Sequence, residues 1–229
     1  MTKQNVAETV GLGQAMNRTE AFFEQNGRKF IYIFLGLLIL AALVFGYRSL
    51  TVAPRAEKAA EMIAEAQARF EAETPDFTLA LEGDANGAGF LDVIEQYGST
   101  PSGNLAKHYA GICYLRTGDL ANAAAYLAKY KPVKGLPGAI VNAQNYGLQG
   151  DVAVEQQNYA QAVSFYKKAV EAADNNWTAP MYLRKAGLAE QAQGNNAAAA
   201  ALYERIINSY PASVEAREAE KLLGGVNNK

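Results

Sequence analysis

The sequence predicts an all-α chain, one membrane-length apolar helix followed by a solenoid of helical hairpins, and three observations carry that prediction. An uncharged stretch runs from Phe30 to Tyr47. Glycine, alanine and a bulky residue recur at matching places in three segments beyond Asn104. A polar break precedes the second half of each of those segments.

The apolar stretch comes first in the chain. Its 18 residues contain neither charge nor proline, and at about 1.5 Å of rise per residue they reach roughly across the hydrocarbon core of a bilayer. A cleavable export signal has a shorter apolar region ending in a small-x-small site. Here the run ends in "FGYRSL" and follows a polar segment of 29 residues, so a permanent anchor is expected. Phe30, Tyr32, Phe34, Phe45 and Tyr47 lie near its two ends, bracketed by Arg28, Lys29 and Arg48, as an interfacial belt requires. Charge does not orient the span, because Arg18, Arg28 and Lys29 on one side face Arg48, Arg55 and Lys58 on the other. A short tail kept in the cytoplasm with a large domain translocated behind it needs no second export device. Expected boundaries are therefore a cytoplasmic tail at 1–29, a transmembrane helix at 30–47, a helical stalk and degenerate repeat start at 48–86, and a repeat domain with a capping helix at 87–229.

The stalk begins at Pro54 with "PRAEKAAEMIAEAQARFEAE", a run of strong helix formers that stops before Thr74-Pro75. Three segments then align from Asn104, Ala143 and Pro180. Their eighth residues are Gly111, Gly150 and Gly187, their twentieth are Ala123, Ala162 and Ala199, and Leu127, Tyr166 and Tyr203 follow four later. This is the tetratricopeptide pattern: small residues let the two helices of a hairpin approach, and the bulky one is expected to fill the gap toward the next hairpin. "TGDLANA", "QQNYAQA" and "QGNNAAA" supply the turns. A degenerate unit precedes them, with Phe90, Ile94 and Tyr97 of "GFLDVIEQYGST" matching Tyr203, Ile207 and Tyr210. At the other end "SVEAREAEKLLGG" offers a cap with a polar outer face.

Composition excludes several function classes. Net charge is only −2 and there is no Lys/Arg run, so no nucleic-acid footprint is visible. One cysteine, Cys113, permits neither an internal disulfide nor a CxxC pair and is expected to be a buried small hydrophobe. One histidine, His108, gives no His-based metal site, and no G-x-S-x-G or similar context signals a nucleophile. A non-enzymatic chain without cofactor or small-molecule substrate is expected. One loop calls for a closer look. "DANGAGFLDVIE" places Asp84, Asn86, Gly89, Asp92 and Glu95 as a calcium-binding EF-hand loop would, but Ala88 stands at a ligand position and Pro75 and Gly83 spoil the incoming helix. A glycine-rich turn is the favoured reading.

A tetratricopeptide stack binds along the concave face lined by its first helices. The corresponding residues are Leu105, His108, Ile112, Leu115 and Arg116 in the first segment, Gln144, Gly147, Asp151, Val154 and Glu155 in the second, and Met181, Arg184, Leu188, Gln191 and Ala192 in the third. Such a mixed groove suits a polypeptide with some hydrophobic side chains. A carboxylate clamp for chaperone C-termini would need Lys and Asn where His108 and Ile112 stand.

The polar tail with "RTEAFFEQNGRKF", the single span ending "GYR", the stalk and the repeats together resemble the YfgM-like family, ancillary subunits of the bacterial SecYEG translocon. The resemblance implies an inner-membrane protein with its tail in the cytoplasm and its repeats in the periplasm. Its implied partners are the lipid bilayer, translocon subunits, a membrane-anchored periplasmic chaperone and polypeptide clients. A repeat scaffold for envelope assembly or cell division, which the "YPAS" ending also resembles, and a cytoplasmic adaptor of opposite topology stay open.

Overall fold

The computed structural model describes residues 26–227. The expected cytoplasmic tail, including Arg18 and most of "RTEAFFEQNG", lies outside the described residues up to Gln25. The chain divides into two compact units, one ending at Pro54 and one beginning at Arg55.

The first unit holds helix α1, residues 26–47, and a π-helical turn at Arg48–Val52. None of its apolar window is buried by protein, and it is long and apolar enough to cross a membrane. A helix apolar all round whose apolar window is buried by none of the described residues differs from the core helix of a soluble domain, which hides its apolar side chains.

The second unit is helical apart from one short β pair. It contains α2 (Ala53–Phe70), α3 (Phe77–Glu82), β1 (Gly83–Asp84), β2 (Gly87–Ala88), α4 (Phe90–Tyr97), α5 (Pro101–Arg116) and α6 (Leu120–Lys129). Then follow α7 (Leu136–Glu155), α8 (Tyr159–Ala172), α9 (Thr178–Ala192), α10 (Asn196–Ser209) and α11 (Val214–Asn227). Helices α5/α6, α7/α8 and α9/α10 are the three predicted hairpins, and α11 packs on α9 and α10 as the cap. Ala216, Ala219 and Val226 of the cap are buried, while Arg217, Glu220 and Lys221 stay in solvent.

Local chemistry sets the helix starts. The Thr100 hydroxyl accepts from the Gly103 N–H with Pro101 in the first turn, and Asp119 and Asn158 do the same for Asn122 and Gln161, each satisfying an amide the helix leaves unpaired. Within the hairpins the chain turns through left-handed residues: Gly118 and Gly194 at φ +84° and +79°, and at the equivalent place Gln157 at φ 59°.

Packing explains the repeated small residues. A Cβ on Gly111 would lie 2.5 Å from Leu127, one on Gly150 2.5 Å from Tyr166, and one on Gly187 would meet Tyr203 in the same way. Ala123, Ala162 and Ala199 are fully buried opposite them. The bulky residue thus sits over the glycine of its own hairpin, and Leu127 and Tyr166 also reach the next one, at Val152 and Tyr182. Glycine removes the atom that would hold the two axes apart.

Two larger differences concern the N-terminal part of this unit. The stretch expected as a stalk belongs from Ala59 onward to the core: Ala59, Ile63 and Ala66 are buried, and the Phe70 ring lies edge-on to Phe77, Phe90 and Tyr109 at 5.6, 6.1 and 5.1 Å. Ala59, Ile63, Ala66 and Phe70 recur at helical spacing on one face, and the fully buried Phe90 of α4 needs such a cover. The compact unit starts at Arg55 and includes most of the stretch expected as a stalk. The expected loop after α3 also contains an antiparallel pair, Gly83 opposite Ala88 and Asp84 opposite Gly87. Arg69 clasps it, donating to the Gly87 carbonyl at 3.0 Å and to the Asp84 carboxylate at 2.7 Å.

The buried side chains form two large apolar clusters. One is shared by α2, α3, α4 and α5 and the other by α7 to α11. Between them lie a smaller cluster of Ala123, Leu127 and Val152 with Leu115, Leu120 and Leu148 packed on it, the buried Ile112 and Tyr130, and a polar contact, the His108 ring against the Asn145 amide.

Candidate functional site

Helices α5 and α7, with the start of α6 and one residue of α8, enclose a cleft of about 640 Å³. Ile112, Leu115, Leu120, Leu148 and Val154 provide its apolar wall, and Arg116, Asp151 and Glu155 its charges. Ile112 is nearly buried, whereas Arg116 and Glu155 are exposed. Among the described residues neither of these two charges forms an ion pair.

Asp151 is held differently. Its carboxylate accepts from the Lys185 ammonium at 2.8 and 2.9 Å and from the Tyr166 hydroxyl at 2.7 Å. Burial pushes the Tyr166 phenol well above its ordinary value, and the neighbouring carboxylate adds to that. Tyr166 therefore stays a donor at neutral pH. The network ties α7 to α8 and α9 and leaves Arg116 and Glu155 as the charges a ligand could pair.

Of the fifteen residues expected to line the groove, Ile112, Leu115, Arg116, Asp151, Val154 and Glu155 meet in this cleft. Leu105 lies in a separate shallow hollow with Tyr130, Val133 and Val141. His108 is a correction: it is 2% exposed, sealed between α5 and α7 against Asn145. Gly147, at the equivalent place of the second hairpin, is buried beneath the Tyr182 ring. Arg184, its counterpart in the third, pairs with Glu218 of the cap at 3.2 Å. One rotation explains all three, since each hairpin turns relative to the next so that this position faces the following first helix. Met181 packs against the C-terminal cluster, Gln191 accepts from the Tyr203 hydroxyl at 2.7 Å, and Leu188 is exposed. Lys185 and Leu148 were missed. Lys185 falls one residue past an aligned groove position, and its reach of a helix and a half back to Asp151 leaves no mark in sequence.

The candidate calcium ligands do not converge. Asp84 accepts from the Asn86 backbone N–H at 3.0 Å, which with Arg69 nearby holds its carboxyl below the usual carboxylate value. Asp92 turns back to cap the Gly89 N–H at 2.9 Å, and Glu95 is exposed on α4. Among the described residues no group of three or more His, Cys, Asp or Glu side chains could hold a metal ion. Cys113 is buried, and burial pushes its thiol up to about 12, which leaves it inert.

Two family profiles, both of the tetratricopeptide repeat, match residues 143–176 and 182–213. The chain carries tetratricopeptide repeats. The matched spans correspond to the hairpins α7/α8 and α9/α10, and the glycine and alanine positions described above repeat in α5/α6. Among solved structures, a crystal structure of MamA is 18% identical, covering 61% of this chain and 77% of that one, with a TM-score of 0.46. A second crystal structure of MamA protein is 16% identical, covering 74% and 88%, with a TM-score of 0.47. No curated protein matches the chain. Tetratricopeptide units are protein–protein interaction modules, and the cleft lies between two of them.

Proposed function

We propose that this protein is a non-enzymatic docking module held in the bacterial inner membrane by α1, with its repeats in the periplasm beside the protein-export channel. A polypeptide segment docks in the cleft between the first two tetratricopeptide hairpins. The observation that carries this reading is the pairing of an apolar wall with two unpaired charges of opposite sign, Arg116 and Glu155, in a cavity large enough for several side chains. The resemblance to the YfgM-like family supplies the location and the partners: translocon subunits, a membrane-anchored periplasmic chaperone and their clients.

The test is photo-crosslinking from Leu115 in membranes carrying the full chain. Wild-type protein is expected to crosslink to translocon subunits or the chaperone. The double reversal Arg116→Glu/Glu155→Lys is expected to lower that yield about tenfold, most strongly at low salt, with its melting temperature nearly unchanged because neither side chain packs. A folded double variant that crosslinks like wild type removes the cleft from the interface. A reporter fused at Lys229 that works only when that end is cytoplasmic removes the periplasmic location, and crosslinks to division or envelope-assembly proteins alone transfer the module to that role.

A further inference from the structure

Each hairpin reverses the chain, and α5, α7, α9 and α11 pack side by side. Their N-terminal ends therefore lie along one edge of the stack. The first residue of α7 is Leu136, the residue capping α9 is Trp177, and the first residue of α11 is Val214. These three are 83%, 84% and 89% exposed. The opposite edge carries the turns Thr117–Asp119, Gln156–Asn158 and Gln193–Asn195, with no apolar side chain. Three of the most solvent-exposed large apolar side chains of the repeat unit thus stand at or beside helix starts on one edge, where together they make an apolar patch.

The segments bearing two of them are also fixed in shape. Asn104 grips the Lys131 backbone, accepting its N–H and donating to its carbonyl at 2.8 Å each. Asn142 grips Val133 in the same two-bond manner at 2.9 Å. Asn175 accepts the N–H groups of Trp177 and Thr178 at 2.9 Å. Between the first two clamps and α7 runs "KPVKGLP", residues 131–137, every one exposed. Its charge is one-signed. From residue 96 to 150 the chain has five Lys/Arg and one acidic residue, Asp119, although the whole chain is net negative. Lys129 and Lys131 lie close enough to Lys107 to add to the effect of burial in lowering its ammonium.

We propose that this edge rests on an anionic bilayer surface, with Leu136, Trp177 and Val214 entering the interface while Lys131 and Lys134 meet lipid phosphates. Tryptophan with its apolar body and N–H donor suits the headgroup level, and juxtaposed lysines are drawn to anionic lipid. Lys131 and Lys134 favour an anionic surface at the α7 end of the edge, while Asp174 and Glu215 stand beside Trp177 and Val214. The choice of a bilayer rests on those lysines, the exposed tryptophan and a helix in the same chain long and apolar enough to span one. The proposal is separate from the docking cleft and shares with it only the membrane.

Trp177 is the single tryptophan of the chain, so its fluorescence reports this edge directly. The full chain is reconstituted in nanodiscs of phosphatidylcholine alone or with phosphatidylglycerol, with and without brominated lipid. Trp177 emission is expected to shift to the blue and to be quenched at least twofold in the anionic discs, with quenching lost at high salt and in Lys131→Glu/Lys134→Glu. In Trp177→Phe backgrounds, Gln156→Trp on the opposite edge is expected to stay unquenched, and Leu38→Trp reports the span independently. Quenching at residue 38 without quenching at Trp177 overturns the edge while leaving the anchor. Equal quenching at 156 and 177 overturns it as indiscriminate adsorption, and protection of Trp177 from acrylamide without bromolipid quenching assigns the edge to a protein instead.

Discussion

Replacing Tyr203 by alanine is expected to lower the unfolding free energy by about 3–5 kcal/mol, the usual result of emptying an aromatic site in a packed core. Tyr203 is completely buried, its ring lies on the bare backbone of Gly187, and its hydroxyl reaches Gln191. No neighbouring chain can collapse into the space, because the glycine has no side chain and α9 and α10 are fixed by the cap. Tyr203→Phe keeps the ring and removes one hydrogen bond, so it is expected to cost about 1 kcal/mol. Urea unfolding of the detergent-solubilised protein measures both. Equal losses in the two variants would mean that the hydroxyl, not the ring, secures the third hairpin.

Acidification is expected to weaken the domain through His108. Asn145 accepts at its carbonyl oxygen from the Gln149 side-chain amide at 2.8 Å and so turns its own amide nitrogen toward His108 Nδ1 at 3.2 Å. The assigned arrangement has Nδ1 accepting and the proton on Nε2. Burial lowers the imidazole from 6.5 to about 4, with a hydrogen bond to Gln144 opposing the shift in part. The unfolded chain therefore takes up this proton below about pH 6.5 and the folded chain only near 4. Stability is complete above the first value and is lost as pH falls toward the second, by about 3 kcal/mol for a shift of this size. Asp84 and Asp119, whose carboxyls are held below the usual value by backbone amides, contribute their own loss only at lower pH. His108→Gln is expected to flatten the fall in melting temperature between pH 6.5 and 4. An unchanged slope assigns the acid sensitivity to other groups.

The hairpins were legible in the sequence because their packing depends on residues whose size is decisive: Gly150 leaves room for Tyr166, and no other residue type does. The turn positions were legible too, though Gln157 occupies a left-handed place that Gly118 and Gly194 hold elsewhere. What the alignment lacked was the rotation from one hairpin to the next. A repeat specifies distances inside a hairpin, so Leu115 and Arg116 could be placed on the inner face. His108, Gly147 and Arg184 depend on the neighbouring helix, and they became a polar seam, a tyrosine seat and an ion pair with the cap. The packed part of α2 carried a signal, the spacing of Ala59, Ile63, Ala66 and Phe70. Alanine is so good a helix former that the stretch reads equally well as an unsupported helix. The β pair had no such signal, for two residues per strand are too few to show alternation.

The thin zone between the two apolar clusters acts as a joint. Fewer side chains pack there than in either large cluster, and one of its principal contacts is polar, so bending there costs less than bending inside either cluster, where close-packed side chains resist any change of spacing. The cleft straddles that joint, with Ile112 and Arg116 on one side and Asp151 and Glu155 on the other. A segment docked there as proposed would bridge α5 and α7, and its expected effect is to slow hydrogen exchange of the amides on both sides of the joint.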